Sequence, residues 1–578
     1  MISKTPKFDQ ALDAILKDLV PHERVCLQCK QKFQVEKEDI NFYNMLRVPP
    51  PTLCPKCRQI RRLGQLMRVP KFFKRPCSAP GHTEGVITVF PPSSPHKVYD
   101  VPYWHSDSWD PTSYGINYSF SRRFFEQFKE LFFGVPHLAL ERALSVINSE
   151  YSLGGLWGKN NYYCAGAFKS EDCFFGEEVR FSKSCFDCAD VWNSEFCYAC
   201  VGDDHCNRCI FLVDSIQCVE SAFLYDCKNC INCFLSSNLR NKSFVFENKQ
   251  LTKEEYHAKI SCLNMGDRNV FQDLIGRFGL VLKNALHRSV SLTNAGNCMG
   301  DRINNCRDCF QAFDGSDGQN LRFMQSFVGV KDSMDFVYSG GGADRVYESV
   351  MGTIGSNISF GLYVRDSMNI EYSVECYNCQ NCFGCVGLKN KKFHVFNKPY
   401  SENDYWKLVD EIKFKMLEDG EYGELFPLSL GLFPYQSSSG QKRYPIDEET
   451  AVKRGIPWYS EPEAQMPEDA RLLDFHEIPS DIKNVEESIL KQAIKCEVTG
   501  KPFKIITEEL KFYRHMNLPI PTRHPWQRIM DRFAFEHPYE LFPFVCPNCG
   551  EKSFSIYNEE KQKQFKIFCE KCYLKEVI

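Results

Sequence analysis

The chain has 578 residues, a formal net charge of −4, 14% aromatic residues and 30 cysteines. That length holds three or more domains with ample core, and the composition excludes a disordered tail or a basic nucleic-acid coat. No run of 18 apolar residues occurs, which excludes a helical membrane span. The first ten residues contain no apolar stretch of the secretory type. So many cysteines without export imply reduced thiols, metal ligands and buried cysteine rather than disulfides, and the expected location is cytoplasmic.

Residues 1–70 read as a zinc ribbon with a basic tail. Cys26-Leu-Gln-Cys29 is followed by Cys54-Pro-Lys-Cys57. Two CxxC pairs about 20 residues apart make two tight knuckles, and their four thiolates complete the tetrahedron that Zn²⁺ accepts from soft ligands. The segment from Cys54 to Pro76 carries Lys56, Arg58, Arg61, Arg62, Arg68, Lys71, Lys74 and Arg75 with no acid. Such a run predicts a positive patch that engages phosphates, with Phe72 and Phe73 as stacking faces. Arg58, Arg61, Arg62, Arg68, Lys71, Lys74 and Arg75 are thus candidate nucleic-acid contacts. Two alternatives stand beside this: a protein partner, and arginines that pair with acids elsewhere in the fold.

Residues 71–145 read as a degenerate ribbon followed by an amphipathic helix over 121–133, whose phenylalanines are expected in the core. The degeneracy shows against the other end of the chain. Cys26, Phe33, Phe42, Tyr43, Pro51, Arg58 and Arg62 recur without a gap at Cys496, Phe503, Phe512, Tyr513, Pro521, Arg528 and Arg532. In that copy Thr499, His524 and Gln527 replace the other three ligands. Conversely, Cys77, Pro80, Asp100 and Tyr103 fall on Cys546, Cys549, Cys569 and Cys572. An ancestral tandem of two zinc modules, duplicated and keeping one metal per copy, explains both. Cys77 and Cys496 are then relics, with His82 and His524 as outside candidates for recruitment.

Residues 146–292 and 293–420 form two cysteine-rich blocks. Between Cys164 and Cys233 every interval between cysteines is a multiple of three, and many are nine. This register is neither helical nor a simple strand alternation; it suits a β-solenoid with cysteine filling a narrow interior. The block recurs: Cys230, Asn232, Cys233, Phe234 and Tyr256 match Cys379, Asn381, Cys382, Phe383 and Tyr405. Each ends in a capping-box signature, Thr252-Lys-Glu-Glu255 and Ser401-Glu-Asn-Asp404, so a helix is expected to cover the open end of each coil. The run Cys376, Cys379, Cys382, Cys385 approaches a ferredoxin spacing but lacks its final step and proline. Stacked interior cysteine, additional zinc and an iron–sulfur cluster remain open for these blocks. The glycines of Ser339-Gly-Gly-Gly342 predict a corner or bulge.

Residues 421–495 read as an extended linker, 496–535 as a degenerate ribbon, and 536–578 as a C-terminal zinc ribbon holding Cys546, Cys549, Cys569 and Cys572. The fold class expected is mainly β with some α: two capped β-solenoid blocks flanked by duplicated zinc-ribbon modules.

Common nucleotide, metalloprotease and deaminase signatures are absent. The motif Cys26-x2-Cys29-x3-Phe33, Asp39-x2-Phe42-Tyr43, Pro51-x2-Cys54-Pro-x-Cys57-Arg58 resembles the small zinc-ribbon (treble-clef-like) domain of uncharacterised large cysteine-rich bacterial proteins. The resemblance extends over most of the chain and implies zinc at Cys26, Cys29, Cys54 and Cys57; it implies no activity. The expected function is a non-enzymatic scaffold binding two Zn²⁺ per chain and engaging nucleic acid, a ribonucleoprotein or a protein, with no membrane and no small-molecule substrate. A redox or metal-cluster enzyme using the block cysteines, and a purely structural assembly module, are the alternatives.

Overall fold

A computed structural model describes residues 3–68, 71–461 and 471–577. The chain is mixed α/β, with 27% helix, 32% strand and several sheets. It folds as two compact units, each discontinuous in sequence. One comprises residues 1–140, 290–459 and 539–541; the other comprises 141–289, 460–538 and 542–578. The segment 421–495 is therefore divided between them, and its residues 462–470 lie outside the described residues, as do Val69 and Pro70 of the basic run.

Each unit is built around a ladder of strands that are parallel except for the last, antiparallel pair. In one, nine strands follow sequence order from Leu292–Gly296 to Lys398–Pro399; in the other, sheets of four and five strands span Ser152–Leu153 to Lys249–Gln250. Partners in the regular part lie twelve residues apart, as in Ala189↔Glu177 and Ile210↔Ala222. The triplet of the sequence has a backbone cause. Asp187, Asp190, Asn193, Phe196 and Ala199 all hold φ between 47° and 55°. A left-handed residue at every third position turns the chain four times per rung. This conformation costs roughly 1–2 kcal/mol for most residues, least for Asn and Asp. Rung-to-rung bonds such as Phe186 N–H to Cys197 O, 2.9 Å, and Asp187 N–H to Phe174 O, 3.0 Å, offset that cost by pairing the amides above and below.

The residue after each left-handed one points inward, and that is where the cysteines stand. Cys164, Cys173, Cys185, Cys188, Cys197 and Cys200 are wholly buried. The Cys185 thiol donates to the carbonyls of Lys183 (3.5 Å) and Ser194 (3.4 Å). Serine fills equivalent places: the Ser182 hydroxyl accepts from Ser194 N–H, and the Ser194 hydroxyl from Cys206 N–H. Val179, Val191, Leu212 and Leu224 take inward positions of the same kind, so the interior is a mixed column of cysteine, serine and aliphatic side chains. Outside, asparagines stack in register, as in Asn148 to Asn160 to Asp172, at 2.9 Å each.

The helices over Lys253–Ser261 and Glu402–Glu418 follow the last parallel strands. Both carry the expected hydroxyl cap: Thr252 accepts from Glu255 N–H, and Ser401 from Asp404 N–H. Tyr256 and Tyr405 pack on Phe244 and Phe393, covering those strands. The glycine cluster marks an irregular rung. Lys331 pairs with Asp344, one residue beyond the regular step, and Gly341 and Gly342 take φ of 101° and 74° there. The phenylalanine helix runs over Phe124–Gly134 with Phe124, Phe128 and Phe132 in the core. It packs on Tyr372, Phe383 and Phe396 of the later block rather than leading into the earlier one.

Candidate metal centres

The two four-cysteine groups are assembled identically. Cys26 and Cys29 flank the tip of the hairpin His22–Val25/Lys32–Val35; Cys54 caps the helix Pro55–Gly64, and Cys57 lies in its first turn. Lys30, at φ 63°, closes the knuckle. All four sulfurs lie within 4.8 Å of one another, with Cys29 and Cys54 Sγ atoms 3.7 Å apart. At the other end, Cys546 and Cys549 flank the hairpin Phe542–Val545/Lys552–Ser555, Gly550 (φ 73°) closes the knuckle, and Cys569 and Cys572 sit at the start of helix Glu570–Val577. Cys549 and Cys569 Sγ atoms are again 3.7 Å apart. Of these eight cysteines, Cys29 and Cys549 are exposed and the other six buried.

Backbone amides prepare both groups for a cation. Burial alone would raise the Cys26 thiol, but N–H groups of Cys29, Cys54 and Gln28 bring it down to about 6. Burial likewise opposes ionisation of Cys546, and the amides of Cys569, Cys549 and Asn548 hold it at about 6. A thiolate is the metal-binding form, so each group can hold a metal ion.

The two degenerate copies have diverged differently. Around Cys496 no ligand group forms among the described residues. His524, expected as a candidate, instead accepts Trp526 N–H on Nδ1 at 3.1 Å, capping the helix Pro525–Phe533, and Gln527 binds Asp531. In the other copy Cys77, His82 and Asp100 do converge. Asp100 was visible in the sequence only as the replacement of a cysteine; its own capacity as an oxygen donor was the missed signal.

The basic run does not form an open patch. Arg58, Arg61 and Arg62 are buried, with 1%, 8% and 0% exposure, against the parallel ladder of their own unit. Arg58 Nε lies 2.9 Å from Asp335, Arg62 Nη1 2.7 Å from Asp335 and 3.1 Å from Glu348, and Arg61 bridges Glu348 (3.1 Å) and Glu424 (2.9 Å). These three cannot meet a phosphate without breaking desolvated ion pairs, which corrects the expectation for them. Arg68 lies over Tyr338 and Lys71 over Tyr459; Arg75 donates to the carbonyls of Pro91 and Ser94, and Phe73 packs on Tyr459. Lys74 is exposed. The second copy repeats the arrangement in its unit: Arg528 and Arg532 both reach Asp187, and Arg528 also reaches Glu509 at 3.2 Å.

The ladder cysteines form no group of three ligand atoms within 4.8 Å among the described residues. Burial raises the Cys164 thiol to about 12 and pushes Cys188 and Cys200 well above the ordinary range, whereas hydrogen bonds from neighbouring thiols bring Cys379 down to about 4.

An exposed aromatic strip lies elsewhere, at the start of the earlier ladder. Trp157 is 58% and Phe181 44% exposed. Phe168 stands between them, ring centroids 5.7 Å from Trp157 and 5.2 Å from Phe181, and the Lys169 ammonium lies 5.2–5.6 Å from all three. Lys159 and Lys183 flank the strip, sharing Glu171. No motif in the sequence announced this strip, because its members are 11 and 13 residues apart and meet only through the rung. No family model matches the sequence, and no curated protein matches it.

Proposed function

We propose that this protein is a non-enzymatic scaffold in which two Zn²⁺ ions stabilise ribbon modules against two β-solenoid blocks, and that it engages single-stranded nucleic acid through the strip Trp157, Phe168, Lys169 and Phe181. Zinc is favoured because four thiolates suit a borderline-soft ion, and the 3.7 Å sulfur separations match the edge of a tetrahedron with metal–sulfur bonds of about 2.3 Å. The solenoid reading rests on the twelve-residue parallel register and the left-handed residue at every third position.

The aromatic strip carries the partner assignment. The exposed rings of Trp157 and Phe181, each 5–6 Å from the half-buried Phe168 and beside ammonium groups, offer a stacking platform with a place for the phosphates, and such stacking contributes about 1–3 kcal/mol per base. The test is fluorescence anisotropy with a labelled single-stranded oligonucleotide, run alongside Trp157→Ala and Phe181→Ala. Binding that weakens in both variants and falls with salt supports the assignment. Equal binding by parent and variants, or none at low salt, rejects it.

A further inference from the structure

The degenerate ribbon over residues 71–106 keeps the frame of the C-terminal four-cysteine module while changing its donors. The hairpin Phe73–Pro76/Gly85–Thr88 stands where Phe542–Val545/Lys552–Ser555 stands, and helix Val101–His105 where Glu570–Val577 begins. Cys77 leaves the hairpin as Cys546 does: its N–H bonds Glu84 O, as that of Cys546 bonds Glu551 O. Asp100 takes the place of Cys569, just ahead of the helix, and its Oδ1 accepts Tyr103 N–H at 2.9 Å. That bond leaves Oδ2 free to face the hairpin. There it meets His82 Nδ1 at 2.8 Å and Cys77 Sγ at 3.5 Å.

Thiol, imidazole and carboxylate therefore point at one spot, all within 4.8 Å of one another. His82 comes from the lengthened knuckle, five residues after Cys77, so it compensates for Pro80, which has no donor where Cys549 has one. The fourth position is held by Tyr103, whose hydroxyl turns away to Ser108 O at 3.4 Å. We propose that Cys77, His82 and Asp100 form a third metal site, taking Zn²⁺ with three protein donors and its remaining position open to an exogenous ligand. His82 is 35% and Asp100 25% exposed, so such a ligand can reach it. Three mixed donors with an open position is the arrangement of zinc sites that bind water or substrate, in contrast with the closed four-thiolate sites at Cys26 and Cys546. The replacement of three cysteines here, by Pro80, Asp100 and Tyr103 with His82 recruited, thus converts a closed site to an open one. In the copy around Cys496, the replacements remove the site.

The experiment is metal stoichiometry of the full-length protein after zinc saturation, by native mass spectrometry and elemental analysis. The expected result is three ions per chain, falling to two in His82→Ala and in Cys77→Ser. Cobalt loading provides a second readout: the difference between parent and Cys77→Ser should contain a thiolate-to-cobalt band of a single-sulfur site. Two ions in the saturated parent would overturn the proposal. So would three ions that persist in both variants, which would place the extra ion in another part of the chain. Two ions retained in each variant also show that the four-cysteine modules remain folded.

Discussion

Arg62 Nη1 lies 2.7 Å from Asp335 Oδ1, and neither side chain is exposed at all. The same relationship recurs in the other unit between Arg532 and Asp187, at 2.9 Å. Asp335 and Asp187 are both left-handed residues at rung corners, with φ of 57° and 54°. The ion pair does not depend on a ligand group: the Arg532 copy has none among the described residues and keeps its aspartate contact.

Removing one member of such a pair leaves the other buried and uncompensated, at a cost of about 3–5 kcal/mol. Asp335→Ala should therefore lower the melting temperature of its unit markedly, and Asp187→Ala that of the other. Lys74→Glu, at an exposed position, should change stability by less than about 0.5 kcal/mol. Calorimetry on the three variants gives the comparison.

Chelation should act on the modules unequally. Stripping metal opens the hairpins around Cys26 and Cys546, whose knuckles depend on the four thiolates. The module at Cys496–Phe533 is held by Arg528, Arg532 and Glu509 and has no ligand group to lose. Hydrogen exchange with and without chelator should show increased exchange over residues 22–57 and 542–572, and none over 496–533.

His524 predicts a pH dependence. Burial, with Arg528 adding to it, holds its imidazole at about 4 instead of the ordinary 6.5. The folded state thus keeps His524 neutral while the unfolded chain takes up a proton first as pH falls. The stability it supports is complete above pH 6.5 and is lost as pH drops toward 4, by about 1–3 kcal/mol. His524→Asn, which keeps an acceptor for Trp526 N–H, should flatten the stability profile in that window. A slope equal to the parent's would assign the dependence to another group.

The interior column Ser182, Ser194, Cys206 should tolerate serine and reject bulk. Cys206 continues the stack Ser182, Ser194. Cys206→Ser should cost less than about 1.5 kcal/mol, and Cys206→Leu about 1–3 kcal/mol through overpacking. Denaturant midpoints for the two variants decide it.

Much of this was legible in the sequence, and the part that was not has a physical reason. The triplet spacing of cysteines is visible because left-handed corners turn one residue inward at every third position. The twelve-residue rung is not, since cysteine gaps of three and nine fit several coil lengths and only strand register selects one. The duplication shows because Tyr43, Arg58 and Arg62 survive in Tyr513, Arg528 and Arg532. The burial of Arg58, Arg61 and Arg62 was not legible, because their counter-charges Asp335, Glu348 and Glu424 lie more than 250 residues on and look like any other corner or loop acid. The interleaving of the two units has no local signature at all.

The corner at every third residue also constrains how this protein can change in length. Deleting one or two residues from a regular rung would rotate every later cysteine out of the interior, whereas adding or removing twelve leaves each one in place. The rung with the extra residue shows the exception: Gly341 and Gly342 absorb a single insertion in a conformation that other residues rarely adopt. Inheritance acts on such a chain as on a stair, where whole steps can come and go while a fraction of one needs a glycine landing.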